Sequence, residues 1–172
     1  MDRGYVQVYT GDGKGKTTAA LGVALRAAGH GLKTYIAQFM KGQRYGELEA
    51  LRGIPLVTIE QFGGTTYLRR KDVTPEDAAR AERGLASAME AMLSGLYDIV
   101  VLDELNVAMW FGLLPTHAVL AFLDRRPPQV ELILTGRRAA VEIVERADLV
   151  TEMQQVKHYY ERGIPARDGI ER

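Results

Sequence analysis

The chain has 172 residues, with 22 basic and 22 acidic side chains, 47% hydrophobic residues and no cysteine. Balanced charge argues against bulk attraction to nucleic acid or a membrane surface, and the missing thiols exclude disulfides and thiolate metal sites. No run reaches the ~18 apolar residues of a membrane helix, and Met1-Asp2-Arg3-Gly4 has no apolar signal region. A cytoplasmic protein folding as one domain over residues 1–172 is expected.

The first element is an alternating strand, Tyr5 to Tyr9, and the alanine-rich run from Ala19 to Leu25 reads as a helix. Between them lies Thr10-Gly11-Asp12-Gly13-Lys14-Gly15-Lys16-Thr17-Thr18. A glycine loop between strand and helix is the context of a phosphate site. Glycines let backbone N–H groups converge on an anion, and the helix start adds free N–H groups and a positive dipole end. Lys16 supplies a point charge, and the Thr17 hydroxyl can ligate Mg²⁺. The glycine spacing is shifted from the usual P-loop: Thr10 stands where the first glycine belongs, with Gly11 one residue late and Gly13 added.

Gly29-His30-Gly31 stops the first helix, with His30 read as a helix-end residue. Residues Lys33 to Phe39 form a second strand, so the unit is βαβ and the sheet parallel. Ligands of open α/β sheets bind outside the carboxyl ends of strands, which is where Lys41 and Arg44 fall; the pattern leaves open whether they meet a phosphate or only solvent. A short helix over 47–52 and a strand over 56–60, nearer an edge, come next. Residues 61–72 form a long loop carrying Phe62, Tyr67 and a solvated Arg69-Arg70-Lys71 run.

Thr74-Pro75-Glu76-Asp77 has helix-start grammar, and Ala78, Ala81, Leu85, Met89, Met92 and Leu96 make one apolar face. The run from Ile99 to Leu102 suits a central strand buried on both faces, delivering Asp103 and Glu104 to the Walker B position beside Mg²⁺. A short helix over 106–111 carries Met109, Trp110 and Phe111; these suit either a ligand-pocket lining or core packing, and core packing is the favoured reading. Pro115-Thr116-His117 opens another helix, with His117 exposed in its first turn. A strand over 130–134 delivers Thr135-Gly136-Arg137-Arg138 to the ligand edge, where an arginine can neutralise a polyphosphate. A helix over 139–146, a last strand over 148–153 and a glycine-punctuated tail complete the chain; the pattern alone does not say whether the tail docks.

Taken together, TGDGKGKTTAALG at 10–22, AGHG at 28–31, QFMKG at 38–42, VVLDEL at 100–105, TGR at 135–137, ADLVTEM at 147–153 and KHYYERGIPARDGI at 157–170 resemble the P-loop type of corrinoid adenosyltransferase. The resemblance implies an α/β, three-layer P-loop (RecA-like) fold with a mainly parallel central sheet flanked by helices. It implies MgATP (or the Mn²⁺ complex) on Gly11 to Thr18, with the triphosphate running opposite to its direction in ordinary P-loop NTPases. Thr17 and Glu104 match the family's metal positions, with Asp103 adjacent, and Arg137 matches the arginine of TGR. A corrinoid over the ATP ribose, a homodimer and a flavoprotein reductant are further implications.

In that chemistry Co(I) attacks C5′ of ATP and expels triphosphate, so cations rather than a base are needed; Lys14, Lys16 and Arg137 supply them. Lys16 and Arg137 are the expected catalytic cations, and Lys41 an expected nucleotide or corrin contact. The family's Phe-x-Trp pair is missing, and Phe62 or Tyr67 is expected to replace it. TGR is followed by Arg138 where glycine is usual, and the family's N-terminal helix is not expected on so short a leader. The runner-up activity is a RecA-like ATPase or kinase cleaving at the γ-phosphate. A GTP switch is disfavoured because the chain has no N-K-x-D motif.

Overall fold

The computed structural model describes residues 2–171. Six strands form one parallel sheet: β1 (Val6–Thr10), β2 (Thr34–Gln38), β3 (Val57–Gln61), β4 (Ile99–Asp103), β5 (Glu131–Thr135) and β6 (Leu149–Glu152). Their order is β3-β2-β4-β5-β1-β6, and every adjacent pair is parallel. β5 therefore separates the strand that ends in the glycine loop from the strand that ends in Asp103.

Helices cover both faces. On one side α1 (Lys16–Ala28) and α2 (Gly46–Arg52) bring Ala20, Ala24, Ala27 and Leu51 against Ile36, Val101 and Ile133. On the other, α3 (Pro75–Leu93), α4 (Leu105–Trp110), α5 (Thr116–Asp124) and α6 (Val141–Arg146) meet Val8, Val100, Leu102, Leu132 and Leu134. Adjacent strand residues face opposite layers, so β4 is apolar throughout. Each fully buried leucine or isoleucine contributes about 1.5–3 kcal/mol. β3 and β6 are the edges, and Leu149 and Val150 on β6 remain exposed.

α3 starts as its sequence dictates. The Thr74 hydroxyl accepts from Asp77 N (3.3 Å), and the Asp77 carboxylate accepts from Thr74 N (2.9 Å), with Pro75 in the first turn. Its end is earlier than the apolar periodicity indicated. The helix stops at Leu93, Gly95 takes φ 72°, and Leu96 lies beyond the helix, exposed rather than on the core face. Trp110 also departs from expectation: it is 43% exposed at the end of α4, not packed in the core. His30 lies in the turn after α1 and His117 in the first turn of α5, both exposed.

Candidate nucleotide site

The glycine loop lies at the carboxyl edge of the sheet, between β1 and α1. Gly11 and Gly15 adopt φ 92° and 121°, which side-chain-bearing residues rarely reach. The shifted spacing has a steric cause. The chain leaving β6 crosses beside the loop, and Gly13 N–H donates to the Met153 carbonyl at 2.6 Å. A Cβ on Gly11 would stand 2.5 Å from that oxygen, and one on Gly13 would stand 2.7 Å from it. The added glycine thus serves a backbone crossing.

Lys16 is buried, and its ammonium donates to the carbonyls of Gly11 (2.7 Å) and Gly13 (2.6 Å). Burial pulls its pKa below the ordinary lysine value. Thr17, one residue into α1, donates to Asp103 Oδ1 at 2.8 Å, and Thr135 at the end of β5 donates to the same oxygen at 2.8 Å. Asp103 Oδ2 accepts from Gln38 at 3.1 Å and lies 3.3 Å from Lys41 Nζ. Asp103 is therefore a fully engaged buried carboxylate that fixes the Thr17 hydroxyl.

Lys41 is half committed to structure. It pairs with Glu47 at 3.0 Å as well as Asp103; burial pulls its pKa down, but those two carboxylates outweigh it and the net shift is upward. Arg44, by contrast, is exposed and among the described residues pairs with Glu49 alone, at 3.9 Å. Glu104 adopts φ 60°, a left-handed conformation unusual for a residue with a Cβ, and its N–H is held by the Thr135 hydroxyl at 2.9 Å. Burial, with the Asp103 charge beside it, pushes the Glu104 pKa up. Its carboxylate accepts no hydrogen bond among the described residues.

These groups surround an open pocket of about 620 Å³, within the range of small-molecule sites. Of the residues expected from sequence, Gly13, Lys14, Gly15, Lys16, Thr17, Thr18, Lys41, Glu104 and Arg137 line it. Asp12 lies at the loop tip, 3.8 Å from Arg137. Phe62 and Tyr67 part company: Phe62 packs on Phe39 (centroids 6.4 Å apart) and against Gly84, whereas Tyr67 is 88% exposed.

The pattern did not reveal the wall formed by the tail. His158, Gly169, Ile170 and Glu171 line the pocket, as does Tyr45. Lys14 donates to the Ile170 carbonyl (2.9 Å) and to Glu171 (2.6 Å), while Glu171 also accepts from Tyr159 and from Arg167 N (2.9 Å). The KHYYERGIPARDGI stretch was a motif without an assigned task; docking supplies one.

A parallel sheet with a glycine loop, a buried lysine at the start of α1 and a threonine fixed by an acid on a non-adjacent strand defines a P-loop nucleotide-binding protein. The fold matches that of a KaiC-like protein from Pyrococcus horikoshii OT3, with a TM-score of 0.57 at 14% identity over 90% of this chain and 74% of that one. The chain belongs to the ATP:corrinoid adenosyltransferase BtuR/CobO/CobP family, which it matches over residues 2–172. It is 37% identical to corrinoid adenosyltransferases of Pseudomonas aeruginosa (99% of this chain, 84% of that one) and Escherichia coli K12 (99% and 86%). To corrinoid adenosyltransferase CobA of Salmonella typhimurium it is 36% identical, over 99% and 86% of the two chains.

Proposed function

We propose that this site transfers the 5′-deoxyadenosyl group of ATP to the cobalt of a reduced corrinoid and releases triphosphate, in cobalamin biosynthesis and salvage. The observation that carries the reading is the convergence of Lys14, Lys16 and Arg137 on one pocket in a chain of this family. The Co(I) substrate supplies both electrons of the new Co–C5′ bond. The C5′–O bond breaks, and its electron pair leaves on triphosphate. No proton need be removed by the protein, so the task is to hold C5′ in line and neutralise the leaving group.

Lys16 and Arg137 are the catalytic cations in this reading, and Lys14 meets the outer end of the triphosphate. The donor set suits Mg²⁺ (or Mn²⁺), which takes one or two carboxylates and otherwise keeps phosphate oxygens and water. The unengaged Glu104 carboxylate and the Thr17 hydroxyl would hold it, with Asp103 orienting Thr17. When bound, the ion would screen charge on the triphosphate oxygens. Tyr67, exposed on the loop after β3, takes the corrinoid-facing role in place of Phe62, which is committed to the core. A homodimer, and a flavoprotein that reduces cobalt to Co(I), belong to the same proposal.

The test is an anaerobic assay with chemically reduced cobalamin and MgATP. The expected products are a light-sensitive Co–C species and triphosphate. ADP and phosphate without a Co–C bond would sink the reading in favour of a γ-phosphate-cleaving ATPase.

A further inference from the structure

Trp110 is the chain's sole tryptophan, and it is 43% exposed at the end of α4. Two guanidinium groups lie over its ring: Arg70 with Cζ 5.0 Å from the centroid, and Arg138 at 5.8 Å. Phe111 supports the indole edge-on at 5.4 Å. Three connections at the carboxyl edge thus meet on one ring, because Arg70 follows β3, Trp110 follows β4 and Arg138 follows β5.

Arg138 holds φ 60° to be there. A side chain in that conformation is strained where glycine would not be, and such strain persists where it serves a site. Neither Arg70 nor Arg138 has a carboxylate partner among the described residues, Asp72 of the same turn as Arg70 included. The cluster therefore presents uncompensated positive charge around a partly open aromatic face.

The cluster adjoins the nucleotide pocket by two routes. Arg138 follows Arg137, which lines the pocket, and α4 runs from Glu104, also in the lining, to Trp110. At 1.5 Å per residue that helix spans about 9 Å, so the ring stands about two turns of helix from the pocket's acidic wall. A nucleotide seated on the glycine loop has its phosphates met by Lys14, Lys16 and Arg137, leaving this ledge to the second substrate.

We infer that Arg70, Trp110 and Arg138 form a specificity ledge that takes an anionic group on the periphery of the corrinoid. That group is either a ring side-chain carboxylate or the phosphodiester of a nucleotide loop. Guanidinium groups match both by paired N–H donors, and the indole offers apolar surface to the ring edge. The inference rests on the corrinoid reading above.

Three corrinoids separate the sources: cobyrinic acid a,c-diamide carries carboxylates, cobalamin carries the phosphodiester, and cobinamide has neither. Binding is read by quenching of the Trp110 fluorescence, and turnover by the anaerobic assay, for wild type, Arg138→Gly and Arg70→Ala. Both variants should lower the preference for one anionic corrinoid over cobinamide about tenfold, and the corrinoid affected names the group. Arg138→Gly relieves the backbone strain, so misfolding would not explain its loss. An unchanged preference ratio overturns the ledge. Wild-type quenching without Co–C formation would overturn the transferase reading while the binding ratios still judge the ledge. Wild type that binds no corrinoid overturns both.

Discussion

Glu171 and Lys14 are 157 positions apart in the chain, yet the carboxylate meets the ammonium at 2.6 Å on the wall of the nucleotide pocket. Arg167, then Lys14 and Tyr159, hold the Glu171 carboxyl well below the usual carboxylate range. The pair joins the tail to the glycine loop, and on the proposed reading its negative group competes with triphosphate for the same lysine. Glu171→Gln should therefore tighten ATP binding about threefold, the scale of an exposed ion pair. Calorimetric titration checks this, and weaker binding by the variant would show that the tail assists the nucleotide instead.

Lys16→Ala removes a buried ammonium that currently satisfies two loop carbonyls. Loss of a preorganised cation on the leaving group should lower kcat/KM for ATP at least about 100-fold, with the far-UV circular dichroism preserved. In wild type, the lowered Lys16 pKa means that this charge is lost at a less alkaline pH than for an ordinary lysine. ATP affinity should decline on the alkaline side accordingly. Wild-type turnover in the variant would refute the role given to the loop.

Gly13→Ala and Gly22→Ala should act in opposite directions. The first places a Cβ 2.7 Å from the Met153 carbonyl and 2.8 Å from that of Gln154, both backbone atoms that cannot swing away. Such overpacking costs about 1–3 kcal/mol. Gly22 lies inside α1 with nothing within 4 Å of the added carbon. Alanine there should stabilise by about 0.5–1 kcal/mol through helix propensity. Urea melts of the two variants settle the comparison; equal effects would show that the loop yields to the added methyl.

The glycine loop, the start of α1 and the Asp103-Glu104 pair were legible because each is local: a strand, a turn residue type and a helix face within a dozen positions. So was the capping of α3. Strand order was not, because parallel pairing joins segments whose sequence patterns are alike, and β5 enters between β1 and β4 without a local sign. The tail's docking on Lys14 joins the two ends of the chain, and no periodicity encodes it. Lys41 read as a ligand contact since position alone put it at the sheet edge; its pairing with Asp103 and Glu47 required the fold. Leu96 shows the reverse error, where an apolar residue in register reads as core and the chain has already turned away; Trp110, at the end of α4, shows the favoured core reading giving way to exposure.

Glu104→Gln should separate stability from function. The Glu104 pKa is raised above its usual 4.5 in the folded protein by burial and by Asp103. Below about 4.5 the group is protonated in both states, so it exerts no penalty there. As pH rises through the folded value, the folded state must ionise a partly desolvated carboxylate on the pocket wall, and the advantage of the neutral form is lost. Glutamine stays neutral, so the variant should have a higher Tm than wild type at pH 8. The difference should shrink towards pH 4.5. The melts are done in EDTA without nucleotide, so that binding does not mask the effect. The same variant should lose divalent-dependent turnover, because the carboxylate that destabilises the folded protein is the one proposed to hold the ion. A Tm difference that is flat with pH would mean that Glu104 ionises in the folded state as easily as in the unfolded chain.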